Sequence, residues 1–199
     1  LYTYWLYDYA GVNPQNGNAL WRNEEGLLTE NYGEARRINA GSPEPLWTGG
    51  FNTELSWRGI SLGIQLEARY GNKVLNQDRS LFEADGSYGD SNIWKGAMNY
   101  WKKPGDTNVL PKPVYNNSSN SSAISTRYLE DGSYLRIKDI TLAYSLPSKW
   151  TKKALMSGVR IYASALNLYT FHNMNYWDPE HGTSGATIIS YPMTRSMIV

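Results

Sequence analysis

The chain has 199 residues, 19 of them Lys or Arg and 18 Asp or Glu; the net charge of +1 offers no electrostatic footprint for nucleic acid. It contains no cysteine, which excludes zinc–thiolate, iron–sulfur and thiol-nucleophile chemistry. The 16 Tyr and 8 Trp against 3 Phe suit half-wet settings, because each of those rings carries a polar tip on an apolar body, and the 18 Gly and 9 Pro point to turns and long loops.

In chain order, Leu1 to Tyr9 and Ala19 to Trp21 are expected to flank a hairpin closed by Asn13-Pro14-Gln15-Asn16-Gly17. Asn13 to Asn18 has a faint likeness to a calcium loop. It lacks the carboxylates and the distal Glu, so a tight turn is the better reading.

Phe51 to Tyr70 carries the clearest signal. Phe51, Thr53, Leu55 and Trp57 alternate with Asn52, Glu54 and Ser56. After Arg58-Gly59, the residues Ile60, Leu62, Ile64, Leu66, Ala68 and Tyr70 alternate with Ser61, Gly63, Gln65, Glu67 and Arg69. Period two puts each set on one face of a strand, and two such runs about a two-residue turn make a hairpin. The second run has the length a tilted strand needs to cross a bilayer, with aromatics near both ends of its apolar face. A β-sandwich facing water would show the same alternation, so the pattern alone leaves both readings open.

The stretch Gly71 to Gly132 is long for a loop in a compact domain, and such loops are usually functional or disordered. Within it, Asn92 to Trp101 is expected to form a short helix, and Asn116 to Ser122 (NNSSNSS) a mobile tip. Tyr134 to Leu146 reads as a strand whose phase slips once, which a bulge near Lys138-Asp139 would reconcile. Ser148 to Met156 is expected to make one or two helical turns capped by Ser148. Val159 to Phe171 and Tyr191 to Val199 are further strands, the second with Met193, Met197 and Val199 on its apolar side. Short turns at Arg58-Gly59 and Pro147 to Gly158 thus alternate with long loops at Gly71 to Gly132 and His172 to Ser190, the rhythm of outer-membrane barrels.

A search for chemistry yields no catalytic constellation, no metal site and no cofactor motif. His172 and His181 fall in one loop. Asp178, Glu180, Glu24-Glu25 and Glu130-Asp131 show no sign of facing one another across a cleft as a glycosidase pair must. The residues most suited to gripping a sugar ring or a partner protein are the loop aromatics Trp94, Tyr100 and Trp101, then Tyr176 and Trp177. Packing of the loops onto themselves accounts for the same residues.

Five stretches, in order, resemble SusC/RagA-type TonB-dependent transporters: AGVNPQNGNALW from Ala10, GSPEPLWTGGFNTELSWRGISLGIQLEARYGNKVLN from Gly41, TRYLEDGSYLRIKDITLAYSLP from Thr126, VRIYASALNLYTFHNMNYWDPE from Val159, and YPMTRSMIV from Tyr191. The resemblance covers nearly the whole chain. It implies an all-β fold of antiparallel strands with long loops and minor short helices, with residues 1–199 forming a C-terminal segment of a 22-stranded transmembrane β-barrel. The plug domain and TonB-contact segment would lie outside the chain, which opens and closes within strand-like runs and is read as a fragment. The parent would sit in the bacterial outer membrane, bordered by lipid. It would import an oligosaccharide or peptide with a SusD-type surface lipoprotein, driven by the TonB complex. In that frame Glu54, Gln65, Glu67, Arg69 and Arg160 face the lumen. The alternative is a secreted glycan-binding β-sandwich, in which the apolar faces are buried against one another.

Overall fold

The computed structural model describes residues 2–87, 92–117, 119–180, 185–186 and 193–199. Its elements are β1 (Trp5–Tyr7), β2 (Tyr9–Val12), β3 (Ala19–Arg22), β4 (Leu28–Thr29), β5 (Arg37–Asn39), β6 (Trp47–Trp57), β7 (Ile60–Tyr70), β8 (Lys73–Leu75), α1 (Gln77–Phe82), β9 (Leu129–Asp131), β10 (Tyr134–Ser145), α2 (Ser148–Lys153), β11 (Arg160–His172) and β12 (Ser196–Ile198). They divide into two compact units. No helix among the described residues is long and apolar enough to cross a membrane, a test that does not address strands.

The first unit comprises Leu1–Glu44, Lys73–Glu130 and His181–Ser190. The expected hairpin forms, but from β2 and β3, extended by β4. β1 pairs instead with β5, a partner some thirty residues away that local pattern did not announce. The turn at Asn13–Asn18 is organised by Glu30: the amides of Asn13, Asn16 and Asn18 donate to its carboxylate at 2.5, 2.8 and 2.7 Å. The bonds from Asn18 and Asn16 hold that carboxyl below the usual carboxylate range. Leu6, Leu75 and Tyr128 form the core, with Tyr4, Ala40, Leu129 and Ala186 packed against it. Trp21 is fully buried between the edges of Tyr9 and Tyr32, and its indole N–H donates to the Ser119 carbonyl at 3.3 Å.

Most of the long stretch from Gly71 to Gly132 is therefore folded into this unit. Its short helical turn falls at Lys95–Met98, inside the span expected. The segment Asn116 to Ser122 is not a mobile tip. Ser119 and Ser121 are buried, and only Ser118 of the segment lies outside the described residues.

The second unit comprises Pro45–Asn72, Asp131–Glu180 and Tyr191–Val199. It is one antiparallel sheet in the order β12-β11-β10-β7-β6. The β6–β7 turn has positive φ at Arg58 (49°) and Gly59 (87°), the twist-matched two-residue geometry. A Cβ on Gly59 would meet the Ser145 carbonyl oxygen at 2.8 Å, so only glycine fits there. The bulge foreseen near Lys138-Asp139 is present between Ile137 and Asp139. A second irregularity in β11 sets Ile137 against Tyr169 and Asp139 against Leu166, with Asn167 at φ 51°.

Register sorts the side chains cleanly. Leu62 lies between Leu55 and Leu142, Ile64 between Thr53 and Ile140, and Leu66 between Phe51 and Ile137. These central residues are half-buried by their cross-strand neighbours, but among the described residues of this unit no second layer lies over the face they belong to. Phe51, Leu55 and Ile161 remain 56%, 62% and 59% exposed. A sandwich requires this face to be covered, and the open face contradicts that alternative.

β12 is shorter than the strand expected from Tyr191. Tyr191 lies outside the described residues, and Met197 stands opposite Ala165 on the apolar face as foreseen. α2 begins at Ser148, but its cap position is Pro147 and carries no side-chain bond; proline opens the helix by its fixed φ.

Candidate functional site

The polar face of the sheet collects all five residues expected to point inward. Glu54 stands opposite Gly63, Gln65 between Asn52 and Asp139, Glu67 between Gly50 and Arg136, Arg69 between Thr48 and Tyr134, and Arg160 opposite Ser145. They differ in engagement. Glu67 accepts a bond from the Tyr134 hydroxyl at 2.8 Å, pairs with Lys138, and has Arg69 at 3.7 Å. Glu54, Gln65 and Arg160 are exposed. Farther along the face, the hydroxyls of Thr141 and Ser164 both donate to Asp139, at 2.8 and 3.1 Å. Paired charges beside open ones suit a surface bordering water, where unpaired groups keep their hydration.

At the long-loop end of this face the guanidinium of Arg136 is fully buried. It donates to Thr170 Oγ1 at 2.9 Å and to Glu180 Oε2 at 2.5 Å, and pairs with Asp178. Asp178 and Glu180, which show no sign in the sequence of facing one another, both turn onto one arginine 42 and 44 residues away. Removing any member would leave a desolvated charge without its partner, so the clamp staples the segment after β11 to β10.

Beside the clamp opens a cleft of about 540 Å³, lined by Thr170, His172, Tyr176, Trp177 and Arg195 among others. Tyr176 has φ 68°, and the Trp177 N–H donates to the Asn175 carbonyl at 2.8 Å, a tight γ-turn that a bulky residue adopts only under strain. That turn leaves the Tyr176 ring exposed at the cleft mouth. Arg195 is exposed and takes part in no ion pair among the described residues. His181 lies outside the described residues.

In the first unit the expected aromatics behave differently. Trp94 stacks on Phe82 with centroids 4.7 Å apart. Trp101 donates to the Pro14 carbonyl at 3.0 Å and lies on Gly17, where a Cβ would come within 2.7 Å of the ring. Tyr100 bridges to Leu110 and holds Lys102 5.3 Å from its ring centre. These rings order the loops they sit in.

A separate cleft of about 480 Å³ is lined by Tyr9 to Val12, Thr107 to Leu110, Arg79 and Arg127. Behind it runs a buried ionic network. Arg79 pairs with Glu83 at 2.9 Å and Glu130 at 2.7 Å, while Asn76 caps α1 and donates to Glu130 at 3.3 Å. Arg127 grips both oxygens of Asp85 and donates to the Ser121 carbonyl at 2.7 Å. Burial works against the Arg127 charge, but the bond to Asp85 overrides it and holds the proton more tightly than usual. Burial also pushes the neighbouring Tyr9 phenol up to about 12. The sequence offered no signal for this network beyond the charges themselves, because its members are up to 54 residues apart. Among the described residues no group of acidic or histidine side chains is placed to hold a metal ion.

No family model matches the chain. It is 33% identical over 146 residues to TonB-dependent receptor P3 of Formosa agariphila, a match spanning 73% of this chain and 14% of that protein. It is 27% identical over 202 residues to TonB-dependent receptor P26 of the same organism, covering 94% of this chain and 19% of that one. The chain thus spans less than a fifth of the length of these relatives. Among solved structures, the RagAB peptide transporter superposes with a TM-score of 0.83 at 29% identity, over 98% of this chain and 22% of that one. RagAB described as a peptide importer in its closed-closed state gives a TM-score of 0.81.

Proposed function

Because the chain is part of a TonB-dependent transporter of the SusC/RagA type, we propose that it builds a sector of the wall, lumen lining and external loops of a nutrient importer in the bacterial outer membrane. The observation that carries this reading is the two-sided character of the five-stranded sheet. β7 has 11 residues, which at about 3.3 Å each and a tilt near 45° span roughly 25 Å, the height of the apolar band of a membrane barrel. In water, each bulky side chain left on the open face would forgo about 1.5–3 kcal/mol. In hydrocarbon the same face needs no cover.

On this reading Glu54, Gln65, Glu67, Arg69 and Arg160 border the aqueous lumen. Tyr176 and Trp177 contribute to the surface met by the incoming nutrient or by a SusD-type surface lipoprotein, while Trp94, Tyr100 and Trp101 shape the loops of the first unit. The peptide-transporter names of the structural neighbours favour a peptide over an oligosaccharide as cargo. Energy would come from the TonB complex through a part of the protein outside this chain. The fragment contributes binding and passage rather than bond chemistry, in keeping with the receptors and the transporter it resembles.

This chain holds no cysteine of its own to compete with an introduced label. In the full-length transporter, in bilayers, spin labels on Leu62→Cys and Ile64→Cys should favour collisions with oxygen, and labels on Gln65→Cys and Glu54→Cys collisions with a water-borne nickel chelate. Equal nickel accessibility on both faces would refute the membrane reading.

A further inference from the structure

The turn joining β10 to β11 carries features that wall building alone does not require. From residue 140 to residue 177 the chain has no acidic side chain, yet Lys149, Lys152 and Lys153 cluster on α2. The β6–β7 turn lies alongside, with the Ser145 N–H donating to the Gly59 carbonyl at 2.8 Å, and adds Arg58. Glu54, four residues before Arg58, is the carboxylate the hairpin brings toward this end, and it lies on the polar face. Among these cations stand apolar side chains held in the open. Trp150 is 61% exposed and Leu155 97%. Leu155 has φ 58°, the left-handed position ending α2, with the Met156 N–H returning to the Thr151 carbonyl at 3.0 Å and the Leu155 N–H to the Lys152 carbonyl at 3.1 Å. Glycine is the usual occupant there; a bulky leucine is strained and gains nothing from the protein it projects from. Directly beyond the turn, on the apolar face, a groove of about 490 Å³ is lined by Ile60, Leu142, Tyr144, Ile161 and Ala163.

We propose that this rim is a docking surface for anionic phospholipid: headgroup phosphates on Lys149, Lys152, Lys153 and Arg58, Trp150 and Leu155 at the headgroup–chain boundary, and an acyl chain along the groove. Charge complementarity selects the occupant. A cationic, carboxylate-free strip with a boundary tryptophan, continuous with an apolar face, matches an anionic lipid surface at every level of depth. The inference rests on the membrane reading above, in which short turns mark the periplasmic rim.

The full-length transporter is placed in phosphatidylcholine bilayers doped with chain-brominated phosphatidylglycerol or chain-brominated phosphatidylcholine. The quenching due to Trp150 is isolated by subtracting a Trp150→Phe protein, and vesicle flotation reports incorporation separately. Each cation near an anionic surface strengthens association roughly fivefold at low salt. Wild type should therefore prefer the brominated phosphatidylglycerol, with the preference weakening as salt rises. The triple variant K149Q/K152Q/K153Q should lower it by roughly tenfold or more while still floating with the vesicles. Equal quenching by the two lipids in protein that floats, or a preference unchanged in the triple variant, would overturn the headgroup site and leave the barrel standing. Protein that does not float with vesicles would overturn the membrane reading, and this proposal with it.

Discussion

The two units of this chain follow opposite rules. In the first, Trp21, Leu75 and Tyr128 are buried, and the charges that share their interior, Arg79, Arg127, Glu83, Asp85 and Glu130, are all paired. In the second, aliphatic and aromatic side chains stand in the open on one side of a single sheet, and the polar ones occupy the other. The first is arranged for water on its outside. The second presents an apolar face in the open, the arrangement of a sheet that meets a solvent without hydrogen-bonding capacity on that side. One polypeptide thus carries two burial patterns, each intelligible only with its own surroundings.

The largest expected effect breaks the first pattern. Arg127→Met would leave Asp85 buried without its cation and should destabilise the first unit by about 3–5 kcal/mol. Hydrogen exchange on the full-length transporter would show protection lost across residues 73–130 with the strands of the sheet retained. The second pattern should break on one face only. Ile64→Arg, in the middle of β7, should cost about 2–4 kcal/mol in a bilayer, whereas Gln65→Arg on the opposite face should cost under about 0.5 kcal/mol. Urea unfolding from lipid vesicles would separate the two. The smallest effect concerns Glu30, which is half-buried and still partly open to solvent that screens its contribution. Its carboxyl is depressed in the folded state, so its contribution is present above the ordinary carboxylate range and fades as pH falls through the lower folded value. Glu30→Gln should flatten that acid dependence in the Asn13–Asn18 turn, read as amide exchange of Gly17 against pH.

The sheet was legible because its signal is local. Alternation from Phe51 to Tyr70 needs only neighbours two residues apart, and the phase slip in Tyr134 to Leu146 announces its own bulge. Four of the five residues on the polar face came from the same parity argument in β6 and β7, and Arg160 from the matching alternation in the strand that became β11. What escaped was non-local. β1 chose β5 over the nearer strand, Glu30 drew in three asparagines from another turn, and Asp178 with Glu180 closed on Arg136 from beyond β11. Such contacts depend on chain closure over tens of residues, which composition and period do not encode. The loop aromatics divided for a related reason. Trp94 and Trp101 pack on residues that sequence could not name, and Tyr176 sits exposed on a strained turn invisible in its letters.

The paired irregularities at Lys138 in β10 and Asn167 in β11 set an arithmetic for this wall. On the turn side of Lys138 the odd-numbered residues Asp139 and Thr141 share the polar face; on the far side the even-numbered Tyr134 and Arg136 do. β10 converts odd to even there, while β11 passes Asn167 and Leu168 at the same height and keeps even-numbered residues, Ser164 and Thr170, on the polar face. A single extra residue in this wall is therefore absorbed where a bulge takes it up, as at Lys138; without one it exchanges the inside for the outside of all that follows.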